Sequence, residues 1–170
     1  MKKPITIRLA IPADASDMAE VGMRSWEAAY KDILSAEYIR EKNATRPELF
    51  KRVITDDNMH SYVIQYEGKT VGIMRIALPQ DDDLGEDFYE LHYIYIHPDY
   101  YRQGIGTQAM EFAYDKARSL GKTAMVLWVF AENINSIKFY EKCGFVADGN
   151  VREENRGKVI KSIRMRNENI

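Results

Sequence analysis

The feature that most limits how this chain can fold is a strand, a glycine-containing loop and a helix in direct succession over residues 90–120. This stretch reads ELHYIYIHPDYYRQGIGTQAMEFAYDKARSL. Residues 91–96 alternate and are rich in Tyr and Ile, as in a buried strand. Residues 97–103 are polar and include a proline, which predicts a turn. From Gly104 apolar residues recur at helical spacing until Gly121 ends the helix.

A loop of this kind can bind a phosphate or pyrophosphate. The first turn of a helix has backbone N–H groups without intrahelical partners and a partial positive charge, so anions bind there readily. Gly104 and Gly106 let the backbone approach an anion without Cβ atoms in the way. Arg102 adds a fixed positive charge that suits phosphate oxygens. The alternative is an ordinary tight loop that needs two glycines.

Segments on both sides of this unit alternate between strand and helix patterns. Helices are predicted at residues 12–30, 35–41, 47–54 and 134–142, the third ending at the polar residues 56–58. Strands are predicted at residues 5–9, 61–66, 70–78, 123–130, 145–151 and 158–165, with turns at 67–69 and 153–157. Residues 79–87 (PQDDDLGED) form an acidic loop. The fold class is therefore α/β, with one domain over residues 1–170.

The strand after the central helix supports a parallel pairing. Residues 123–130 (TAMVLWVF) form a continuous apolar run, which is typical of a strand buried on both faces. Strand, helix and strand in this order predict a βαβ unit with its two strands side by side.

A second group of polar side chains follows that strand. Asn133, Ser136, Ile137 and Tyr140 occupy positions i, i+3, i+4 and i+7 of a helix, so they share one face. Because the preceding strand pairs with the one before the glycine loop, this face can overlook the same cleft. Asn133 offers an amide and Tyr140 a phenolic proton. The alternative is a capping Asn and a core Tyr.

Together the two groups resemble the GCN5-related N-acetyltransferases (GNAT), which transfer an acetyl group from acetyl-CoA to an amine. Residues 102–107 read RQGIGT after an IYI strand and HPDY. Residues 133–145 read NINSIKFYEKCGF and are similar to the family pattern N-x-x-A-x-x-F-Y-x-x-x-G-F. The opening IRLAIPADASDMAEV is also similar to the family's first strand and helix. The resemblance implies one domain with a mixed, mostly antiparallel sheet, a central splayed parallel strand pair and flanking helices.

The resemblance also assigns roles to particular residues. Backbone groups of Ile94, Tyr95 and Ile96 would bind pantetheine and stabilise the developing oxyanion. The pyrophosphate would be held by the loop amides of Arg102, Gln103, Gly104, Ile105, Gly106 and Thr107. Asn133 would contact the pantetheine arm, and Tyr140 would protonate the leaving thiolate of CoA.

The chain departs from the family pattern at three positions. Tyr101 stands where the loop motif usually begins with Gln or Arg, and Ser136 replaces the usual Ala. Some relatives carry a glutamate base on the strand before the Asn, where this chain has Trp128. Main-chain donors bind most of the phosphate, so the first departure leaves the predicted site intact.

The acceptor amine must lose a proton before it attacks, so a carboxylate or a histidine is needed in the cleft. Glu90, at the start of the central strand, is the first candidate for this base. His92 lies on the same face if the strand is regular and is the second, and Glu132 is the third. The alternative for Glu90 is a surface carboxylate at the end of a strand.

Composition limits the compartment and the partners. The net charge of −2 gives no support for nucleic acid or an anionic membrane as a partner. No apolar run reaches transmembrane length, and the first ten residues do not resemble a signal peptide. The lone Cys143 excludes an intrachain disulfide, so a reducing cytoplasm is expected. No metal site is predicted, because the Asp run at 81–83 lacks the spacing of a Ca²⁺ loop.

The acceptor stays open between small-molecule amines and peptide amines. Residues 26–41 lie where the family builds its acceptor pocket. The acidic loop could attract a cationic amine such as a polyamine, although a merely solubilising role is equally compatible with its composition. Dimerisation is common in such proteins, but nothing in this chain indicates a homodimer.

Two other functions are compatible with parts of the sequence. Residues 104–109 satisfy the G-x-G-x-x-A pattern of a dinucleotide-binding oxidoreductase, with Glu132 farther on. Seven residues separate the predicted strand from the first glycine, however, and the dinucleotide fold needs a tight turn there. The other alternative is a non-catalytic acyl-CoA-binding or regulatory protein on the same fold, because a fold does not determine a function.

Overall fold

The computed structural model describes residues 4–56 and 60–170 of the 170-residue chain. The described strands are β1 (Thr6–Leu9), β2 (His60–Tyr66), β3 (Lys69–Ala77), β4 (Phe88–Ile96), β5 (Ala124–Phe130), β6 (Val146–Asn155) and β7 (Val159–Asn167). The described helices are α1 (Ala15–Tyr30), α2 (Ala36–Ile54), α3 (Ile105–Ser119) and α4 (Ile134–Lys142). Short 3₁₀ turns precede α1 at Pro12–Asp14 and follow β4 at Pro98–Tyr100.

The strands form one mixed sheet in the order β1-β2-β3-β4-β5-β7-β6. Within the described residues β4 and β5 are parallel, and every other neighbouring pair is antiparallel. This confirms the predicted α/β class and the parallel pair at the centre. The dinucleotide-binding alternative is wrong, because that fold requires a predominantly parallel, doubly wound sheet.

Helices cover both faces of the sheet. One core joins α3, through Ile105, Ala109 and Met110, to side chains such as Ile64 and Leu127 of the strands. A second core lies on the opposite face, where α1 and α2 pack on neighbouring residues of β2 and β3. Its fully buried members include Met18, Val21, Phe50, Val63 and Ile73. Because successive strand residues point to opposite faces, β2 and β3 are apolar on both sides and read as continuous hydrophobic runs.

One predicted helix boundary is wrong. Residues 35–41 and 47–54 were expected to be separate helices, because Pro47 should begin a new one, but they belong to the continuous helix α2. Asn43, Arg46 and Phe50 are buried along this helix, so tertiary packing maintains it through the proline. Residues 57 and 58, expected to help end this helix, lie outside the described residues.

The last hairpin is also tighter than predicted. Residues 153–155 were expected in a turn, but they pair with β7 in register, with Glu153 opposite Lys161 and Asn155 opposite Val159. The reversal occurs around Gly157, whose φ of +80° lies in the left-handed region that favours glycine. The polar composition that suggested a longer turn belongs to an exposed edge strand.

None of the described helices combines the length and apolar character needed to cross a membrane. No three His, Cys, Asp or Glu side chains come close enough together, among the described residues, to hold a metal ion.

Candidate functional site

The centre of the sheet opens into a gap between β4 and β5. The two strands pair over three positions, from Phe88 opposite Ala124 to Glu90 opposite Val126. Beyond Glu90, β4 continues to pair with β3 on its other edge as far as Ile96. The edge of β4 that faces β5 therefore has unpaired backbone groups over residues 91–96, which include the predicted Ile94, Tyr95 and Ile96.

An irregularity in β4 lies next to this opening. Arg75 of β3 is opposite Tyr93, but the next residue, Ile76, is opposite Leu91. His92 is thus the extra residue of a β-bulge. The condition that β4 is regular, on which the shared face of Glu90 and His92 was predicted, does not hold. The bulge nevertheless leaves the two side chains close together, with His92 Nε2 3.9 Å from Glu90 Oε2.

The loop from β4 to α3 presents a series of unpaired amides. Arg102 has a φ of 59° and Gly104 a φ of 77°, so two left-handed residues alternate with ordinary ones. Within the described chain, no backbone N–H from residue 102 to residue 107 donates to a protein acceptor, and the first helical bond runs from Gln108 to Gly104. Such an alternation turns successive N–H groups towards one point and creates a concave anion site. The six predicted phosphate-binding residues therefore lie together.

The two glycines of this loop are needed for different reasons. Gly104 has open space around it, so its left-handed φ is what favours glycine there. A Cβ on Gly106 would come 3.3 Å from Cζ of Phe139 on α4. Gly106 was expected to clear a path for an anion. Its missing side chain instead lets α3 and α4 pack closely, while its amide stays free.

The side chains of the loop are less involved than its backbone. Arg102 and Thr107 are exposed, and Ile105 is buried and anchors the helix start in the core. Gln103 donates from Nε2 to the carbonyl of Asp99 at 3.0 Å, which braces the turn. Its Oε1 is buried and has no hydrogen-bond partner among the described residues.

Asn133 and Tyr140 lie on α4 as predicted. Asn133 is buried and caps the helix, with its Oδ1 accepting from the amide of Ser136 at 3.2 Å. Its Nδ2 donates to no acceptor within the described residues, so the capping and ligand-binding interpretations are compatible. Tyr140 is partly buried, and its ring packs against Phe139 and Phe145 at centroid distances of 5.4 and 6.0 Å.

The Tyr140 hydroxyl interacts electrostatically with phenols of β4 and α1. Burial raises the pKa of Tyr140, and the nearby Tyr95 hydroxyl of β4 raises it further. Tyr95 and Tyr140 in turn both raise the pKa of Tyr30 at the end of α1, after burial, which is the larger cause. A phenol in this setting keeps its proton throughout the neutral pH range.

Glu90 is a buried carboxylate and not the surface residue that a strand end could have provided. Its side chain is at the vertex of the gap, and 8% of the residue surface is accessible. Burial raises the pKa of Glu90, with a smaller contribution from the charge of Asp81, while a backbone hydrogen bond from Gln80 opposes the shift. β4 begins at Phe88, three residues before the predicted strand at 91–96, which places Glu90 inside the sheet.

His92 is partly buried, and its Nε2 atom is buried with no hydrogen-bond partner among the described residues. Burial lowers the pKa of His92, and the positive charges of Arg75 and Arg152 lower it further. The imidazole is therefore neutral at neutral pH and free to accept a proton. Glu132, the third candidate, is exposed at the start of α4.

The acidic loop is not a free anionic surface. The guanidinium of Arg164 on β7 binds both carboxylate oxygens of Asp83 at 2.6 Å and approaches Asp81 Oδ2 at 3.3 Å. Trp128 Nε1 also donates to Asp81 Oδ2, at 2.9 Å. One guanidinium is shared by these two loop carboxylates, so their charge is partly compensated and the loop is fixed against β7.

Sequence patterns did not predict the charged residues on the α1–α2 face of the sheet. Arg46 precedes a proline that was interpreted as a helix start, and Arg75 alternates with apolar residues in a strand. Both are arginines that the structure places close to the gap, where each influences the pKa of Tyr93. No local motif could have identified them, because their neighbours come from other segments.

Comparisons of this chain with known proteins, by sequence and by structure, point to one protein family. The model of the Acetyltransferase (GNAT) family matches residues 25–145. An uncharacterised N-acetyltransferase of Methanocaldococcus jannaschii is 28% identical over 144 residues, which cover 84% of this chain. The chain spans 61% of the length of that relative.

Two solved structures share the fold over nearly the whole chain. The PaiA N-acetyltransferase of Thermoplasma acidophilum, in complex with coenzyme A, has a TM-score of 0.76 at 22% identity and covers 97% of this chain and 99% of its own. A GCN5-related N-acetyltransferase of Rhodopseudomonas palustris has a TM-score of 0.77 at 20% identity, with coverage of 99% and 98%. At these identities the likeness establishes the fold.

Proposed function

The chain belongs to the acetyltransferase (GNAT) family, and we propose that it transfers an acetyl group from acetyl-CoA to a primary amine by direct attack in a ternary complex. The observation that carries the proposal is the position of the six unpaired amides at the end of β4, beside the gap in the sheet. A phosphate-bearing ligand with an amide-containing arm fits this combination of an anion site and a free strand edge.

Acetyl-CoA would be held mainly by backbone groups. The amides of residues 102–107 would bind its pyrophosphate, and the Arg102 side chain would add a charge in solvent. The free edge of β4 at Ile94, Tyr95 and Ile96 would pair with the amides of the pantetheine arm. Asn133 would donate from Nδ2 to a carbonyl of the same arm. When bound, acetyl-CoA supplies the activated acetyl thioester.

The base would be Glu90, with His92 beside it. Glu90 lies at the vertex of the gap, and the raised pKa that burial gives it suits proton abstraction better than an ordinary carboxylate does. The neutral His92 can take up the same proton or orient a water molecule between the amine and Glu90. Tyr140 would donate its proton to the departing sulfur.

Replacing Glu90 by glutamine should lower kcat/KM about 100-fold, which is the low end of what a general base contributes. In wild type, kcat/KM should rise with pH as Glu90 loses its proton. The midpoint of this rising limb of the pH profile should lie above the ordinary pKa of a glutamate. Glu90→Gln should remove the limb. The measurement is steady-state kinetics from pH 5 to pH 9, with the exposed Glu153→Gln as a matched control.

Loss of activity through unfolding is not expected for this variant. A carboxyl group whose pKa is raised on folding costs no stability below its ordinary pKa, because it is then protonated in both the folded and the unfolded chain. The free energy of unfolding falls as the pH rises through the raised pKa. At neutral pH the buried carboxylate therefore costs stability, and Glu90→Gln should melt at or above the wild-type temperature. Wild-type rates for Glu90→Gln at every pH would remove Glu90 from the role.

Release of free CoA from acetyl-CoA in the presence of a panel of amines tests the function as a whole. We expect amine-dependent release above the rate of thioester hydrolysis, with N-acetylated product confirmed by mass. A protein that binds acetyl-CoA but releases none with any amine would favour the non-catalytic, regulatory alternative. Failure to bind acetyl-CoA at all would contradict both functions.

A further inference from the structure

A buried arginine on α2 lacks the partner that its charge requires. Arg46 is 5% exposed, and its guanidinium stacks on the indole of Trp26 from α1, 4.2 Å from the ring centroid. Its Nε donates to Asn43 Oδ1 at 2.8 Å. Asn43 is fixed in turn by Glu27, whose Oε1 accepts from Asn43 Nδ2 at 3.3 Å. The stack on Trp26 and the hydrogen bond from Nε therefore hold the guanidinium in one orientation.

The two Nη atoms of this guanidinium, here called its front, have no anionic partner among the described residues. Within residues 4–56 and 60–170, no carboxylate lies within ion-pair distance of Arg46, and neither Nη atom donates a hydrogen bond to a protein atom. Burial lowers the pKa of Arg46, which reflects the cost of holding the charge there. A buried charge is retained in proteins when something pairs with it, and here the pairing group must come from outside the chain.

A chain of ring contacts connects Arg46 to the end of β5, because Trp26 packs on Tyr30 at a centroid distance of 5.1 Å and Tyr30 packs on Phe130 at 5.0 Å. Burial raises the pKa of Tyr30, Tyr93 and Tyr95, and the charge of Arg46 opposes that shift in all three. Tyr95 is also the hydroxyl that acts most on Tyr140. Arg46 and Tyr140 therefore both act electrostatically on Tyr30, and Tyr95 interacts with both of them.

The other arginines near this part of the sheet differ in whether a carboxylate pairs with them. Arg152 and Arg156 both pair with Glu154, at 2.7 and 2.6 Å. Arg75, which like Arg46 lowers the pKa of Tyr93, has a buried Nε with no hydrogen-bond partner among the described residues. Two guanidinium groups therefore remain without a carboxylate, while Glu90 is the acid expected to receive the proton of the amine.

We infer that the acceptor amine carries a carboxylate, as an amino acid does, and that Arg46 binds this carboxylate through its two Nη atoms. The inference rests on the proposed transfer to an amine and specifies the class of that amine. A guanidinium matches a planar carboxylate with two parallel hydrogen bonds, and the stack on Trp26 keeps its edge presented to the ligand. A polyamine would instead bring further positive charge to this face.

The test compares acids with their amides as acceptors. CoA release is measured with L-phenylalanine, L-leucine and glycine, each against its carboxamide, for wild type, Arg46→Met and Arg46→Lys. For at least one pair we expect wild type to prefer the acid. Arg46→Met should lower the acid-to-amide ratio of kcat/KM about 10- to 100-fold through the KM of the acid, because a hydrogen-bonded charge pair is lost. The KM for acetyl-CoA should not change.

An acid and its amide differ in amine basicity, but this difference is the same for every variant. Comparing the acid-to-amide ratio of kcat/KM between variants therefore cancels it. Arg40→Met removes an exposed arginine from the same helix and should leave every ratio unchanged. Arg46→Lys keeps the charge and loses the fork, so it should lie between wild type and Arg46→Met. Equal loss of acid and amide in Arg46→Met would assign Arg46 a packing role and overturn the inference.

A binding measurement separates this inference from the proposed function. Melting temperatures are measured with saturating coenzyme A and added amino acid or amide. The acid should stabilise wild type more than the amide, and Arg46→Met should abolish the difference. Stabilisation by the acid without any turnover would support the Arg46 site and contradict catalysis. If amines are acetylated but neither the CoA-release assay nor the melting assay shows a preference for acids, the carboxylate site at Arg46 is contradicted. The proposed acetyltransferase activity would then stand.

Folding of the variant is not expected to confuse the result. Arg46→Met removes a buried charge without a counter-ion, so its melting temperature should equal or exceed that of wild type. A clear fall in melting temperature for both Arg46→Met and Arg46→Lys would instead show that the guanidinium serves the packing of α1 against α2, and the inference would be wrong.

Discussion

Replacing Arg164 by methionine should lower the free energy of unfolding by about 3 kcal/mol or more, because it leaves a buried carboxylate without its partner. Arg164 is 2% exposed, and its Nε donates to Asp148 Oδ2 at 2.7 Å. The side chain of Asp148 is equally buried, at 3%. The same guanidinium holds Asp83 with two hydrogen bonds, so one substitution breaks contacts among β6, β7 and the acidic loop.

The loss should depend on pH in a defined direction. Burial alone would raise the pKa of Asp148, but hydrogen bonds from Asn150 and Arg164 outweigh it and lower that pKa. Arg164 also lowers the pKa of Asp83. Stability from a lowered carboxyl pKa is present above the ordinary value and is lost as the pH falls through the lowered one. The difference between wild type and variant should therefore shrink below about pH 4.

Urea denaturation at pH 7 and in acid measures both effects. Arg118→Gln is the control, since Arg118 forms an exposed i,i+3 pair with Asp115 on α3, and such pairs contribute little. An Arg164→Met protein as stable as the control at pH 7 would contradict the structural role. A difference that stays constant into acid would show that the lost stability does not come from the ion pairs.

The loop at residues 102–107 and helix α4 could be predicted because their signals are local. The start of the helix next to Gly104 and the capping position of Asn133 each follow from a few neighbouring residues. The parallel pairing of β4 and β5 follows from the order of strand, helix and strand. Within this frame Tyr140 and Glu90 were placed near the gap from sequence alone.

The charged interior could not be predicted, because it is made by contacts far apart in sequence. Arg164 meets Asp81 and Asp83 across more than 80 positions of the chain. Asp81 therefore looked like part of a solvated run. Arg46 stacks on Trp26 across a helix pair whose boundary was itself misjudged at Pro47. Tertiary packing overrides local propensity at such positions.

The unsatisfied groups of the described chain concentrate where function is proposed. These groups include the open amides of residues 102–107, the Nε2 of His92 beside Glu90, the Oε1 of Gln103 and the two Nη atoms of Arg46. By contrast, Arg164 is fully paired although it is just as buried. Natural proteins tolerate unpaired buried groups mainly at sites that bind a ligand. We therefore interpret the paired Arg164 as structural and the unpaired Arg46 as part of a binding site.

Tyr140→Phe should lower kcat about 100-fold while leaving the affinity for coenzyme A nearly unchanged. The substitution removes one oxygen, and the ring keeps its contacts with Phe139 and Phe145. Burial raises the pKa of Tyr140, so the phenol is protonated at every pH of the assay and can donate to a departing thiolate. General-acid groups typically contribute about 100- to 10,000-fold, and the lower figure applies because a thiolate is already a good leaving group.

The measurement is pre-steady-state CoA release together with a titration of coenzyme A by calorimetry. Tyr62→Phe provides the control, because Tyr62 is a buried tyrosine of β2 whose ring packs on Phe112 of α3, on the face opposite Tyr95. Its rate should match wild type. Since the loss in Tyr140→Phe concerns the leaving sulfur, it should be smaller with acyl donors whose thiols have a lower pKa. A Tyr140→Phe enzyme with wild-type kcat, or one with equal losses for all thiol leaving groups, would remove Tyr140 from the proton-donating role.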